Sequence, residues 1–273
     1  MKKLLVSFLT LIILLTSSLL TNASDKVEVY VSLADGKLLM AYDKVSVSDI
    51  DNDGKITIND ALYSAHDLKY PGGVKEGYQS SMGAYGLKID MLWGKDNGDS
   101  YGYYVNNNSA MSLGDEIKSG DHVYAFLYTD LVNWSDTFSF FDKNKVSAKV
   151  GEEISLSLSC LGYDETWNIV TSPVNNADIL ANDKKTDFKT NDEGKVSLTF
   201  DKAGTYVITA KSTDINLVPP VCIINITDNT VNDNENTPPA KPGDKSEIAF
   251  YTIILLTSIA LSVLVMRRFN HEV

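Results

Sequence analysis

The sequence predicts a mainly β protein: a β-rich α+β domain carrying an acidic loop and one short helix, then a β-sandwich, then a single transmembrane helix. Three observations carry that expectation. Apolar and polar residues alternate over 27–31, again over 154–158 and again over 196–200, the period of half-buried strands. Ala61, Leu62, Ala65 and Leu68 recur at helical spacing behind a run of aspartates, and Tyr70-Pro71-Gly72-Gly73 stops that helix. Residues 248–266 carry no charge, a stretch close to the ~20 residues that cross a bilayer.

The two ends read as membrane-directed and are set aside before the fold is considered. Lys2 and Lys3 precede an apolar run over 4–15, and Thr21-Asn22-Ala23 offers small residues to a signal peptidase, so residues 1–23 are expected to be a signal peptide. Arg267-Arg268 directly follows the 248–266 span, which puts 267–273 in the cytoplasm and the bulk of the chain outside, as a single-pass protein of the cell membrane. A buried terminal core helix is the alternative. The formal net charge is −12, and both termini are basic, so the exported part is more acidic still. No Lys/Arg cluster offers phosphates a counter-charge, which excludes nucleic acid as a partner; divalent cations and basic surfaces are attracted instead.

The exported part divides into 24–142, 143–227 and a stalk at 228–247. It opens on a hairpin-like alternation through Val27, Val29 and Val31, the Asp35-Gly36 turn and a return over 38–47. The next twelve residues, 49–60, place aspartates at positions 1, 3, 5 and 12 and Gly54 at position 6. A Ca2+ ion needs six or more oxygens about one point, so alternate side chains must converge while glycine allows the sharp reversal. The expected ligands are Asp49, Asp51, Asp53, the Lys55 carbonyl and Asp60, with Ile56 anchoring the loop in the core. The alternative is an acidic turn without metal. Aspartate at position 12 resembles dockerin-type loops. A strand precedes the loop and a helix follows, so the unit is closer to half an EF-hand than to a whole one; Asp96-Asn97-Gly98-Asp99 is too short for a second loop and is expected to be a hairpin turn.

Aromatic residues crowd between Trp93 and Phe141. Tyr124, Phe126 and Tyr128 alternate with Ala125 and Leu127, the pattern of a strand buried on both faces. An exposed subset would form an amphipathic binding surface, for which Trp93, Tyr103, Tyr104 and Trp134 are the candidates. The run Gly77-Tyr78, Tyr85-Gly86-Leu87, Leu92-Trp93-Gly94, Gly102-Tyr103-Tyr104-Val105-Asn106, then Gly120-Asp121-His122-Val123-Tyr124-Ala125-Phe126, resembles the transcobalamin C-terminal-like family of bacterial surface proteins. The resemblance covers about residues 74–140. In the vitamin carriers of that kind a helical barrel holds most of the cobalamin, and this chain has no such barrel, so a corrinoid is not carried over as the expected ligand.

From Val146 onward short strands alternate with turn signals, pointing to a β-sandwich. The stretch Glu193-Gly194-Lys195-Val196-Ser197-Leu198-Thr199-Phe200, continued by Ala203-Gly204-Thr205-Tyr206-Val207-Ile208, resembles the immunoglobulin-like domains of bacterial surface proteins, modules that hold another domain away from the membrane. Cys160 and Cys222 form either one disulfide of an exported chain or two buried thiols among apolar neighbours. Residues 227–247, rich in Asn, Asp, Pro, Lys and Thr, make a flexible stalk. Pro239-Ala240-Lys241-Pro242-Gly243-Asp244 before the span resembles a Gram-positive wall-sorting tail, with Pro242 in the place of the attacked threonine and Ala240 in that of the proline; retention by the span is favoured over sortase attachment.

No acid, base and nucleophile converge in this sequence. His66 and His122 have no zinc-ligand spacing and read as structural or solvated; no phosphate loop or nucleophile elbow is present. The expected protein is therefore not an enzyme but a calcium-binding, membrane-anchored surface protein for binding or adhesion, its partner an extracellular protein, a glycan or a small ligand. A small-ligand receptor, with a corrinoid as one candidate ligand, a dockerin-like assembly module and, last, a hydrolase are the other readings.

Overall fold

The computed structural model describes residues 26–228. The expected signal peptide, nearly all of the stalk, the span and the cytoplasmic tail lie outside the described residues; among those described, no helix is long and apolar enough to cross a membrane.

The first half is a helix and a hairpin laid on one sheet. β1 (Val27–Ala34) and β2 (Leu38–Val47) pair antiparallel as the alternation predicts. After the acidic loop, α1 (Ile58–Lys69) starts at a capping box: the Thr57 hydroxyl accepts from the Asp60 N–H, and the Asp60 carboxylate accepts from the Thr57 N–H. It stops at Tyr70, which turns extended ahead of Pro71. A single turn, α2 (Gly73–Gly77), leads into a separate hairpin of β3 (Tyr78–Gly83) and β4 (Gly86–Leu92). β5 (Tyr101–Val105), β6 (Asn108–Ser109) and β7 (His122–Leu127) complete a sheet of order β2-β1-β7-β5-β6, with β1 and β7 parallel. The segment Asp96-Asn97-Gly98-Asp99, expected as a hairpin turn, instead carries the chain from the β3–β4 hairpin into the main sheet: β4 pairs with β3 and β5 with β7, never with each other.

The second half is a two-layer sandwich. One sheet has the order β11 (Ile169–Pro173), β10 (Ile154–Tyr163), β8 (Thr137–Phe141), β16 (Leu217–Val218), with β14 (Lys195–Leu198) also on β10. The other runs β13 (Lys184–Lys189), β12 (Asp178–Ala181), β15 (Gly204–Lys211), β17 (Cys222–Thr227), β9 (Lys145–Lys149). β14 returns to β10 and β15 to β12, so successive strands cross between layers as in an immunoglobulin-type sandwich. Alternate residues Ile154, Leu156, Leu158 and Cys160 face Ile179, Ile208, Cys222 and Ile224 in one core. The boundary expected between 142 and 143 falls on the wrong side of β8: this strand is bonded to β10, inside the sandwich.

What the aromatic-rich segment packs against explains its composition. Along β7, Val123, Ala125 and Leu127 face α1, whereas Tyr124 and Phe126 face Phe138, Val218 and Val221 of the sandwich. The sheet is thus a middle layer, and a strand covered on both faces reads as a continuous apolar run. Tyr104 of β5 lies flat on Phe138, ring centroids 3.8 Å apart and planes within 4°. Gly102 is required beside it, because a Cβ there would stand 2.3 Å from the Phe126 ring. The Tyr124 hydroxyl donates to the Pro219 carbonyl, a polar link across the same seam.

Candidate metal centre and aromatic surface

Between β2 and α1 the chain folds back on itself at Gly54, whose φ of +89° is a region that side-chain-bearing residues avoid. Asp49, Asp51 and Asp53 each turn a carboxylate oxygen inward, and the three oxygens lie within 4.8 Å of one another. Backbone N–H groups hold the loop in that shape: Gly54 donates to Asp49 at 2.8 Å, Lys55 to Asp53 at 2.8 Å, and Asp53 to Asp49 and Asp51 at 3.2 and 3.3 Å. The electrostatics differ along the loop. Partial desolvation pushes the Asp49 carboxyl up, but the N–H groups of Gly54, Asn52 and Asp53 outweigh it and leave its pKa lowered. For Asp51, desolvation and the like charges of Asp53 and Asp60 prevail over one N–H donor, so its pKa is raised.

Asp60 sits apart from the other three. It is buried, with one oxygen accepting from the Ile50 N–H at 3.1 Å and the other from the Thr57 N–H and hydroxyl at 2.7 and 2.8 Å. A carboxylate has about four acceptor positions, so these three bonds leave about one for an ion. The position 12 residue is therefore first a helix cap and loop closure. The Thr57-x-x-Asp60 spacing announces that cap. The Lys55 ammonium points out of the loop to Glu116, 2.7 Å away, which leaves only its carbonyl as a ligand. Ile56 packs on the first core, as expected of an anchor.

Of the four expected aromatic surface residues, three are packing residues. Trp93 closes around His66 and Tyr70, with ring centroids 5.4 and 5.2 Å away; Tyr103 lies against the helix-side core; Tyr104 is covered by Phe138. Trp134 is the exception, 53% exposed over Tyr128. It belongs to a surface that the candidate set missed. Val132 beside it is 85% exposed, and at the β10–β11 turn Trp167 is 82% and Tyr163 64% exposed. Tyr163 packs against Trp167, with ring centroids 6.1 Å apart. The signal was local: Trp167 stands among Asp164, Glu165, Thr166 and Asn168, turn-forming residues that do not bury a neighbour.

Both histidines among the described residues are structural. His66 donates from Nδ1 to the Leu62 carbonyl at 2.6 Å and accepts at Nε2 from the Trp93 N–H at 3.1 Å, which uses both nitrogens of a neutral ring. The Ser32 hydroxyl, already accepting from the Tyr42 N–H, sits 2.8 Å from His122 Nε2 and is free to donate to it. Burial brings both rings down to about 4. Cys160 and Cys222 are free and buried, the second of the two sequence readings. Cys160 pairs with Ser139 and Ser172 in one sheet and Cys222 with Ile208 in the other.

No known protein family and no curated protein matches this sequence. Among solved structures, the N-terminal four Ig domains of Dscam1 isoform 4.44 align at 12% identity over 52% of this chain and 30% of that one, with a TM-score of 0.22. The corresponding fragment of isoform 9.44 aligns at 10% identity over 74% and 44%, TM-score 0.22, and murine CEACAM1b at 12% over 67% and 77%, TM-score 0.17. The chain thus spans less than half the length of either Dscam1 fragment. Superposition at this level transfers neither a site nor a partner.

Proposed function

We propose that this is a calcium-stabilised extracellular binding or adhesion protein, held at the membrane by residues 248–266. The observation that carries the calcium reading is the convergence of the Asp49, Asp51 and Asp53 oxygens within 4.8 Å, in a loop reversed at Gly54 and closed by Asp60. Three like charges so close repel one another, and a hard cation with oxygen ligands relieves that repulsion. Binding is favoured over catalysis because both described histidines are buried and spent on structural hydrogen bonds, and both thiols are buried with raised pKa values. A corrinoid or other small ligand finds no open ring at Tyr104, which is stacked on Phe138.

Exported calcium modules bind at about 10⁻⁴ to 10⁻³ M, so millimolar calcium adds about 0.4 to 1.4 kcal/mol. Thermal unfolding of the full-length protein with calcium and with chelator should differ by a few degrees. Asp53→Ala is expected to remove that difference. Asn52→Gly is expected to keep it, since Asn52 is not among the converging carboxylates and its φ of +60° suits glycine. Superimposable curves in all conditions would reduce the loop to an acidic turn.

A further inference from the structure

Two loops at one end of the sandwich are built alike. In the first, Asp130 accepts from the N–H groups of Val132 and Asn133 and from the Ser135 hydroxyl. In the second, Asp164 accepts from the N–H groups of Thr166 and Asn168 and from the Thr166 hydroxyl. Each aspartate ties down its own turn, and each turn raises a tryptophan, Trp134 or Trp167, into solvent. Rigid loops lose little freedom on binding, so these rings are pre-organised. Burying them in a partner would remove large exposed apolar side chains, which mark interaction sites where they cluster.

The surroundings choose the partner. No lysine or arginine lies between Lys118 and Lys143 or between Lys149 and Lys184, while Asp130, Asp136, Asp164 and Glu165 stand in the two loops. The hydrogen bonds within the loops draw the pKa of Asp130 and of Asp164 down to about 2, so both stay charged. Their acceptor positions are nevertheless occupied, and the Asn133 and Asn168 amides donate back to the same carboxylates. A sugar needs free donors and acceptors for its hydroxyls and finds few here. An anionic lipid surface is repelled by the charge. A guanidinium or ammonium group, by contrast, gains from an aromatic face and from the surrounding negative field, without needing a free acceptor.

We infer that the Trp134–Trp167 surface is a docking site for a basic polypeptide, whose arginine and lysine side chains stack on the two indoles. This rests on the reading of the protein as a binding protein and names the chemistry of its partner. The test is titration of the full-length protein with octa-arginine, followed by tryptophan fluorescence and calorimetry at low and physiological salt, with octa-glutamate and cellohexaose in parallel. The expected result is binding of octa-arginine alone, weakened about tenfold by Trp134→Ala with Trp167→Ala. Removing two remote charges, Asp67→Asn with Asp187→Asn, should change it by less than about twofold. Thermal unfolding of each variant confirms that the exposed substitutions leave the fold intact. Equal affinity in the double tryptophan variant, or an equal loss in the remote-charge variant, would mean attraction by net charge alone and overturn the proposal. Binding of cellohexaose in place of octa-arginine would also overturn it, while leaving the broader binding function standing; loss of the calcium effect would strike the calcium reading and not this one.

Discussion

At the scale of single residues, His66 and His122 make the fold sensitive to acid. Each is neutral when folded, with its pKa at about 4, and titrates near 6.5 when unfolded. Between those values the unfolded chain binds more protons, so stability falls as pH drops from 6.5 towards 4, by about 3 kcal/mol for each ring. Urea unfolding at pH 7.0, 5.5 and 4.5 should show the decline, and His122→Gln should remove about half of it. An unchanged slope would mean that His122 titrates in the folded protein near its unfolded value. The structural role of these rings was within reach of the sequence, which offered them no ligand spacing. Their partners were not, because Ser32 and His122 stand ninety residues apart along the chain and meet only through the parallel pairing of β1 with β7.

At the scale of elements, local patterns read true where one face or one cap decides the outcome. The β1–β2 hairpin followed from alternation, and α1 followed from the spacing of Ala61, Leu62 and Ala65 and the stop at Tyr70-Pro71. The doubly buried β7 was legible from its unbroken apolar run, but what covered its second face was not. Phe138 belongs to a strand that the composition had assigned to the preceding domain, and only hydrogen bonding to β10 places it in the sandwich. The Asp96–Asp99 turn misled for a related reason: turn residues announce a reversal without saying which strands it joins. At the seam, Gly102→Ala should cost about 1 to 3 kcal/mol, since its Cβ would press into the Phe126 ring and force the sheet away from its neighbour. Chemical denaturation measures that cost; a loss below about 0.5 kcal/mol would show that the ring moves aside freely.

At the scale of the whole molecule, the aromatic seam makes one cooperative body of two architectures. Phe138 touches Tyr104, Tyr124 and Phe126 across it and is almost wholly buried, so Phe138→Ala should cost about 3 to 5 kcal/mol. Calorimetry is expected to show a single transition in the native protein and two in the variant, only one of which responds to calcium. A single transition in the variant would mean that the remaining Tyr124–Pro219 link suffices to couple the halves. The last strand adds a mechanical consequence. β17 leaves the sandwich at Thr227 and pairs in parallel with β9 along 223–227, while β15 holds its other side. A pull on Thr227 opposed at the Trp134–Trp167 end runs along β17, across its hydrogen bonds, so every rung shares the tension at once and none can be unzipped alone. The protein is thereby braced against traction along the line between its two ends.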